Sequence, residues 1–204
     1  MAPGRHPDNL AASAGWRWWT VAVLAVIVGA TAGTAIAQAI GPAVPPTVSS
    51  SAPFADTGGL FSKGNGQTAP GWSLPALADP ARTVSLRQFR GHPVVVNFWA
   101  SWCPPCRKEM PALQQVSRLL AGRVAFVGLD TQDQRSAGLA FARKMRVTYP
   151  LATANAQVWT AYNVTALPTT YFVSGHGTVL GEDFGGMTRT SLLGLIRQLF
   201  GIAP

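Results

Sequence analysis

The chain has 204 residues, 48% hydrophobic and 12% charged, with 21 Gly, 16 Pro and two Cys. That length suits one domain with an appendage, or two small domains, and is ample for a buried core. The apolar fraction excludes a disordered chain, and two cysteines exclude both a disulfide-stapled mini-protein and a zinc site of four thiolates. The formal net charge of +8 hints at an acidic partner, but so few charges imply a part of the chain that avoids water.

No Asp, Glu, Lys or Arg occurs from Trp18 to Ala55, and within that gap Val21 to Ile40 is mostly apolar and about as long as a bilayer core requires. Residues 18–40 are therefore expected to form a transmembrane anchor. Arg5 and Arg17 precede it and the next basic residue is Lys63, a bias that leaves residues 1–17 in the cytoplasm and everything after the anchor outside. Trp16, Trp18 and Trp19 suit the headgroup level. A cleaved signal peptide is the alternative, because the most apolar run, Val21 to Val28, is short and leads to Gly29, Gly33 and Ala35-Ile36-Ala37; the domain would then be secreted. Either way the domain is exported. Residues 41–71, with Pro45-Pro46, Ser49-Ser50-Ser51 and Gly64-Asn65-Gly66, read as a flexible linker.

From Trp72 to the end the pattern is globular. Trp72 to Leu77 and Thr83 to Arg87 suggest short edge strands, since Pro75 and Pro80 bar a central position. Val94 to Trp99 is apolar on both faces and reads as a central strand. A helix is predicted from Pro104 to about Leu120, with Met110, Leu113, Val116, Leu119 and Leu120 on one face, ended by Gly122. A buried strand, Val124 to Leu129, precedes a helix from about Ser136 to Met145, a short strand near Tyr149 to Ala152 and a short helix near Gln157 to Tyr162. Strands Thr169 to Val173 and Thr178 to Phe184 flank the turn Ser174 to Gly177, and Leu192, Leu195, Ile196 and Leu199 mark a last amphipathic helix. This order predicts an α/β fold, a mixed sheet with helices on both faces.

Trp102-Cys103-Pro104-Pro105-Cys106 falls where the central strand gives way to the first helix. A thiol at a helix N-terminus faces unpaired N–H groups and the positive end of the dipole, which favours the thiolate that attacks disulfides. Pro104 suits the first helical position, whereas Pro105 removes a second donor that could have reached Cys103. An inert structural disulfide is the alternative, but a loop this short constrains the unfolded chain little. Zinc would need further ligands, and His6, His92 and His176 show no paired spacing. Covalent haem would need His after Cys106, and Arg107 stands there.

The run from Val94 to Pro111, with its Asn-Phe-Trp-Ala-Ser-Trp-Cys-Pro-Pro-Cys, and the later Ala166-Leu-Pro-Thr-Thr-Tyr-Phe-Val173 resemble a TlpA/ResA-type member of the thioredoxin superfamily. The resemblance spans roughly Trp72 to Leu199. It implies a thioredoxin-like mixed sheet, a redox disulfide between Cys103 and Cys106, Cys103 as nucleophile, Cys106 as resolving thiol and Pro168 as the cis-proline facing them. Leu167 is then free to pair with an extended client, and Trp102 flanks the same substrate surface. Where cytoplasmic thioredoxin has a buried Asp, Asn97 cannot titrate, and the resemblance assigns proton handling to Glu109; an exposed helical Glu making an i,i+4 contact is the competing reading. Pro111 is expected to kink the helix.

The expected activity is therefore that of an extracytoplasmic, membrane-anchored oxidoreductase without cofactor or metal. It would reduce protein disulfides such as the haem-binding cysteines of an apocytochrome c, with electrons from a membrane electron-conduit protein. An oxidant of the DsbA type is the nearest rival, and a Sco-type copper metallochaperone the rival from another class, although such proteins place three residues between their cysteines and use a distant His, for which only His176 is available. Lys63 onward holds 14 basic and 6 acidic residues, Arg135, Arg143, Lys144 and Arg146 among them. This basic face suits lipid headgroups, an acidic partner or plain solvation, and nucleic acid is not an expected partner outside the cell.

Overall fold

The computed structural model describes residues 59–204. The predicted anchor or signal segment and the first part of the predicted linker lie outside them. Among the described residues no helix is long and apolar enough to cross a membrane.

In chain order the elements are β1 (Leu60–Lys63), β2 (Ser73–Pro75), β3 (Thr83–Ser85), a 3-10 turn (Leu86–Phe89), β4 (Val94–Trp99), α1 (Pro104–Leu119) and β5 (Ala125–Asp130). There follow α2 (Arg135–Lys144), β6 (Leu151–Thr153), α3 (Ala156–Ala161), β7 (Thr169–Val173), β8 (Val179–Phe184) and α4 (Arg189–Phe200). Six strands form one mixed sheet in the order β1-β8-β7-β4-β5-β6. The trio β4, β5 and β6 is parallel, whereas β7 runs against β4, β8 against β7 and β1 against β8.

The alternation of β4 divides the core. Val95 and Trp99 face a cluster built with Met110, Leu113 and Val116 of α1, Phe141 of α2 and Leu192, Leu195 and Ile196 of α4. Val94, Val96 and Phe98 face the other side, where Trp72, Leu74, Val84, Val158 and Tyr162 pack. Helices thus cover both faces, α1, α2 and α4 on one and α3 on the other, and the β2–β3 pair shares the α3 side. Phe98 is fully buried and meets the rings of Trp159, Tyr162 and Tyr171. Phe98→Ala is expected to cost about 3–5 kcal/mol of stability, read as a lower urea midpoint with unchanged slope.

Two sequence expectations change. Residues 41–71 read as linker and 72–204 as the domain, yet the sheet starts at β1, which pairs with β8 through Leu60↔Phe184 to Lys63↔Gly181. Thr68 also bridges to Thr178, and Ala69 is buried. The signal is weak because β1 is a four-residue edge strand between glycines, with Leu60 exposed and only Phe61 packing on the core. Second, β2 and β3 do not edge the main sheet; they pair with each other and touch it at Ala76↔Ala152.

The register sets the functional end. β4 and β5 finish together at Trp99↔Asp130, β7 starts opposite Phe98 at Thr169, and β8 ends opposite Thr169 at Phe184. The loops after β4, β5 and β8 and the segment before β7 therefore gather at one end of the sheet. The β7–β8 turn, with His176, lies beyond Val173↔Val94 at the other end, about 16 Å away at 3.3 Å per strand residue.

Candidate active site

Cys103 is the N-cap of α1, with Pro104 and Pro105 as the first two helical residues. Its sulfur accepts a hydrogen bond from the Cys106 N–H at 3.2 Å. The prolines have no N–H, so Cys106 supplies the one backbone donor of the first helical turn to this sulfur. Cys103 and Cys106 are joined, with an S–S distance of 2.06 Å and Cα atoms 5.3 Å apart. Both cysteines are buried, whereas Trp102, Pro104 and Pro105 beside them are exposed. Arg107 turns outward and stacks its guanidinium 5.5 Å from the centre of the Phe141 ring.

The Leu167–Pro168 peptide is cis, as the resemblance implied. The Pro168 carbonyl accepts the Gly185 N–H at 3.0 Å, which ties the segment before β7 to the loop after β8. Leu167 wedges its side chain between the two core clusters. Among the described residues its backbone forms no hydrogen bond.

Under α1 runs a buried polar row. Asn97, Thr170 and Asp183 are register partners on β4, β7 and β8 and therefore share a sheet face. The Asn97 Nδ2 donates to Glu109 Oε1 at 2.8 Å and to Thr170 Oγ1 at 2.9 Å, and the Met187 N–H donates to Glu109 Oε2 at 3.2 Å. Glu109 is only 1% exposed, so it is not the solvated helical Glu of the competing reading. Burial pushes its carboxyl up to about 8; the bonds from Asn97 and Met187 oppose the rise and the charge of Asp183 adds to it. Glu109 lies three residues after Cys106 on α1, a spacing that makes the two side chains helical neighbours. A surface groove lined by Pro105, Pro111, Gly186, Met187 and Arg189 runs beside Glu109.

Trp102 is 56% exposed, and its indole N–H donates to the Gln132 carbonyl at 2.9 Å. Of the basic face, Arg135 bonds the carbonyls of Leu77 and Ala78, while Arg143, Lys144 and Arg146 are exposed. The site also contains residues that the motifs do not reveal. The Met187 amide comes from a loop distant in sequence, Asp133 accepts the Ser101 N–H, and Asp130 is buried at the end of β5. An acidic residue at the end of an otherwise apolar strand was the available signal for Asp130.

A cysteine pair at the start of the helix that follows the central strand, with a cis-proline leading into β7 at the same end of the sheet, defines a thiol-disulfide oxidoreductase of thioredoxin fold. The chain belongs to the AhpC/TSA family, whose model matches residues 65–181. It is 35% identical over 130 residues to the thioredoxin-like protein YneN of Bacillus subtilis, covering 62% of this chain and 75% of that protein. It is 31% identical over 141 residues to the thiol-disulfide oxidoreductase ResA of Geobacillus kaustophilus, covering 68% of this chain and 78% of that protein. Among solved structures, a thiol:disulfide interchange protein of the thioredoxin family from Chlorobium tepidum superposes with a TM-score of 0.62 at 26% identity, over 69% of this chain and 100% of the other. The TlpA/ResA-type resemblance thus holds, and with it the oxidoreductase activity.

Proposed function

We propose that the protein works outside the membrane as a reductase of protein disulfides, tethered by residues 18–40 unless that segment is cleaved. Apocytochrome c cysteines are a fitting client, and a membrane electron-conduit protein the source of electrons. The observation that carries the direction is the single backbone donor on the Cys103 sulfur. A strong oxidant is one whose reduced form is stabilised by its thiolate, and two prolines at the helix start withhold that stabilisation.

In the reduced enzyme the Cys103 thiolate attacks one sulfur of the client disulfide. A new S–S bond forms, the client S–S bond breaks, and the second client sulfur leaves as thiolate. Trp102 and the backbone of Leu167 hold the client strand, and Pro168 presents no N–H to compete for the sulfurs. Cys106 then gives its proton to the nearby carboxylate form of Glu109 and attacks Cys103. The mixed disulfide breaks, and the client departs with two more electrons than it brought. The Cys103–Cys106 disulfide is finally reduced by two electrons from the membrane partner. Glu109 suits this exchange because its titration near neutrality matches that of a thiol.

Equilibration with a thiol buffer of known potential tests the direction. A value near that of thioredoxin, about −270 mV, is expected, and a value near −120 mV would make the protein an oxidant. The copper reading has less support, because His176 sits at the end of the sheet opposite the cysteines, too far to complete a shared site.

A further inference from the structure

The loop between β5 and α2 grips the segment that leads into Cys103. The Thr131 N–H donates to the Trp99 carbonyl at 3.0 Å, the Ser101 N–H to Asp133 Oδ2 at 2.5 Å, and the Trp102 indole N–H to the Gln132 carbonyl at 2.9 Å. Asp133 is itself held, since its Oδ1 accepts the Gln134 N–H at 2.7 Å. The far end of the loop is fixed as well, because Arg135, the first residue of α2, donates to the carbonyls of Leu77 and Ala78.

Trp102 is the exposed residue among those gripped, with 56% of its surface open to solvent. A side chain so exposed ordinarily changes rotamer within nanoseconds. Here its one polar atom is committed to a backbone carbonyl, which ties an edge of the indole to the loop. Gln132 presents that carbonyl from a φ of 51°, in the left-handed region that residues other than glycine seldom adopt. Its own side chain is exposed and forms no hydrogen bond among the described residues, so the bend serves the backbone. A strained turn held from both sides, next to a reactive centre, is a means of fixing a neighbour in advance.

We propose that Gln132 is a positioning residue for client selection: its left-handed turn aims the Trp102 indole as a fixed platform for the client chain. This rests on the reading that Trp102 meets the client. An aromatic held still before binding loses little entropy on contact, so a chain laid over it gains more than it would from a mobile ring. A small disulfide has no chain to lay there. Loss of the aim is therefore felt by protein clients and not by small ones.

The test is single-turnover reduction by the pre-reduced full-length protein in detergent micelles, with insulin as the protein disulfide and oxidised glutathione as the small one. Gln132→Val, whose β-branched side chain disfavours the turn, should raise the half-saturating insulin concentration about tenfold and leave the rate on oxidised glutathione within about twofold. Gln132→Gly adopts the same turn freely and should match the wild type on both. Hydrogen exchange at the Trp102 indole, measured in the wild type, needs no variant to fold; it should be slower than in a free indole by about tenfold or more, and the protection should vanish in Gln132→Val. Exchange at the free-indole rate in the wild type would overturn the proposal, as would equal losses on the two substrates or a Gly variant as impaired as the Val one. Trp102→Ala separates this role from the reading beneath it. An unchanged insulin value there removes that reading, whereas a raised value beside an unchanged one in Gln132→Val removes only the role of Gln132.

Discussion

Cys103→Ser is expected to abolish disulfide exchange, a loss on the order of 10⁴-fold or more, the scale on which removal of a covalent nucleophile is felt. The hydroxyl ionises far above any physiological pH, and neither the Cys106 N–H nor the helix dipole brings it into range. Cys106→Ser should behave differently. Its first attack through Cys103 persists, but the mixed disulfide accumulates because no second sulfur lies within the helical turn to release it. Quenched-flow measurement with a fluorogenic disulfide separates the two: no burst for Cys103→Ser, and a single stoichiometric burst without turnover for Cys106→Ser. Equal behaviour of the two variants would contradict the assignment of roles. Neither substitution should unfold the domain, because a loop this short adds little stability and both sites tolerate a side chain of similar size.

Glu109→Gln should change both stability and rate, with opposite signs. In the folded protein the carboxyl is raised to about 8, mainly by burial, so the fold favours its neutral form. Ionisation therefore costs stability progressively as pH climbs from the ordinary carboxylate range toward 8, up to about 4 kcal/mol if burial is maintained. Gln avoids that cost. It has its own, since both Glu109 oxygens accept N–H donors, and an amide must turn its NH₂ toward Asn97 or the Met187 backbone, at about 1 kcal/mol. Urea unfolding of the oxidised protein should accordingly find the variant equal to or less stable than wild type near pH 5 and clearly more stable near pH 8. Its resolving step should nevertheless slow by about 10²-fold, because Gln cannot take the proton from Cys106. A stability difference that does not change with pH would show that Glu109 ionises freely.

What the sequence displays and what it conceals follow from range. The Cys103–Cys106 pair, its place after the apolar strand Val94 to Trp99, and the helix on Met110, Leu113 and Val116 are local patterns, and each holds in three dimensions. Helix ends move by one residue, as at α2, which begins at Arg135 in place of Ser136. The cis peptide before Pro168 followed from the motif shared with the superfamily. The state of Glu109 could not be read the same way, because the groups that enclose it come from other elements: Asn97 lies 12 residues before it and Met187 78 residues after. The resemblance gave Glu109 a place one turn past Cys106 and could not say whether water reached it. The surroundings of Asp130 and Asp133 are still less visible, since Gly138 on α2 leaves the space for the first and the second reaches back to the Ser101 N–H. The β1 strand was hidden for a different reason: its two apolar residues, Leu60 and Phe61, are adjacent and make no alternating pattern, and its pairing with β8 is set by main-chain bonds.

The central claim is that Cys103 forms a mixed disulfide with protein clients and that Cys106 resolves it. Expressing the full chain with Cys106→Ala in its native membranes, then separating the proteins under denaturing, non-reducing conditions, tests this directly. The expected result is a set of high-mass adducts that collapse on reduction and are missing when Cys103 is also replaced by Ala; a c-type apocytochrome among them would identify the proposed client. No adducts from Cys106→Ala, or the same adducts from the double variant, would contradict the account.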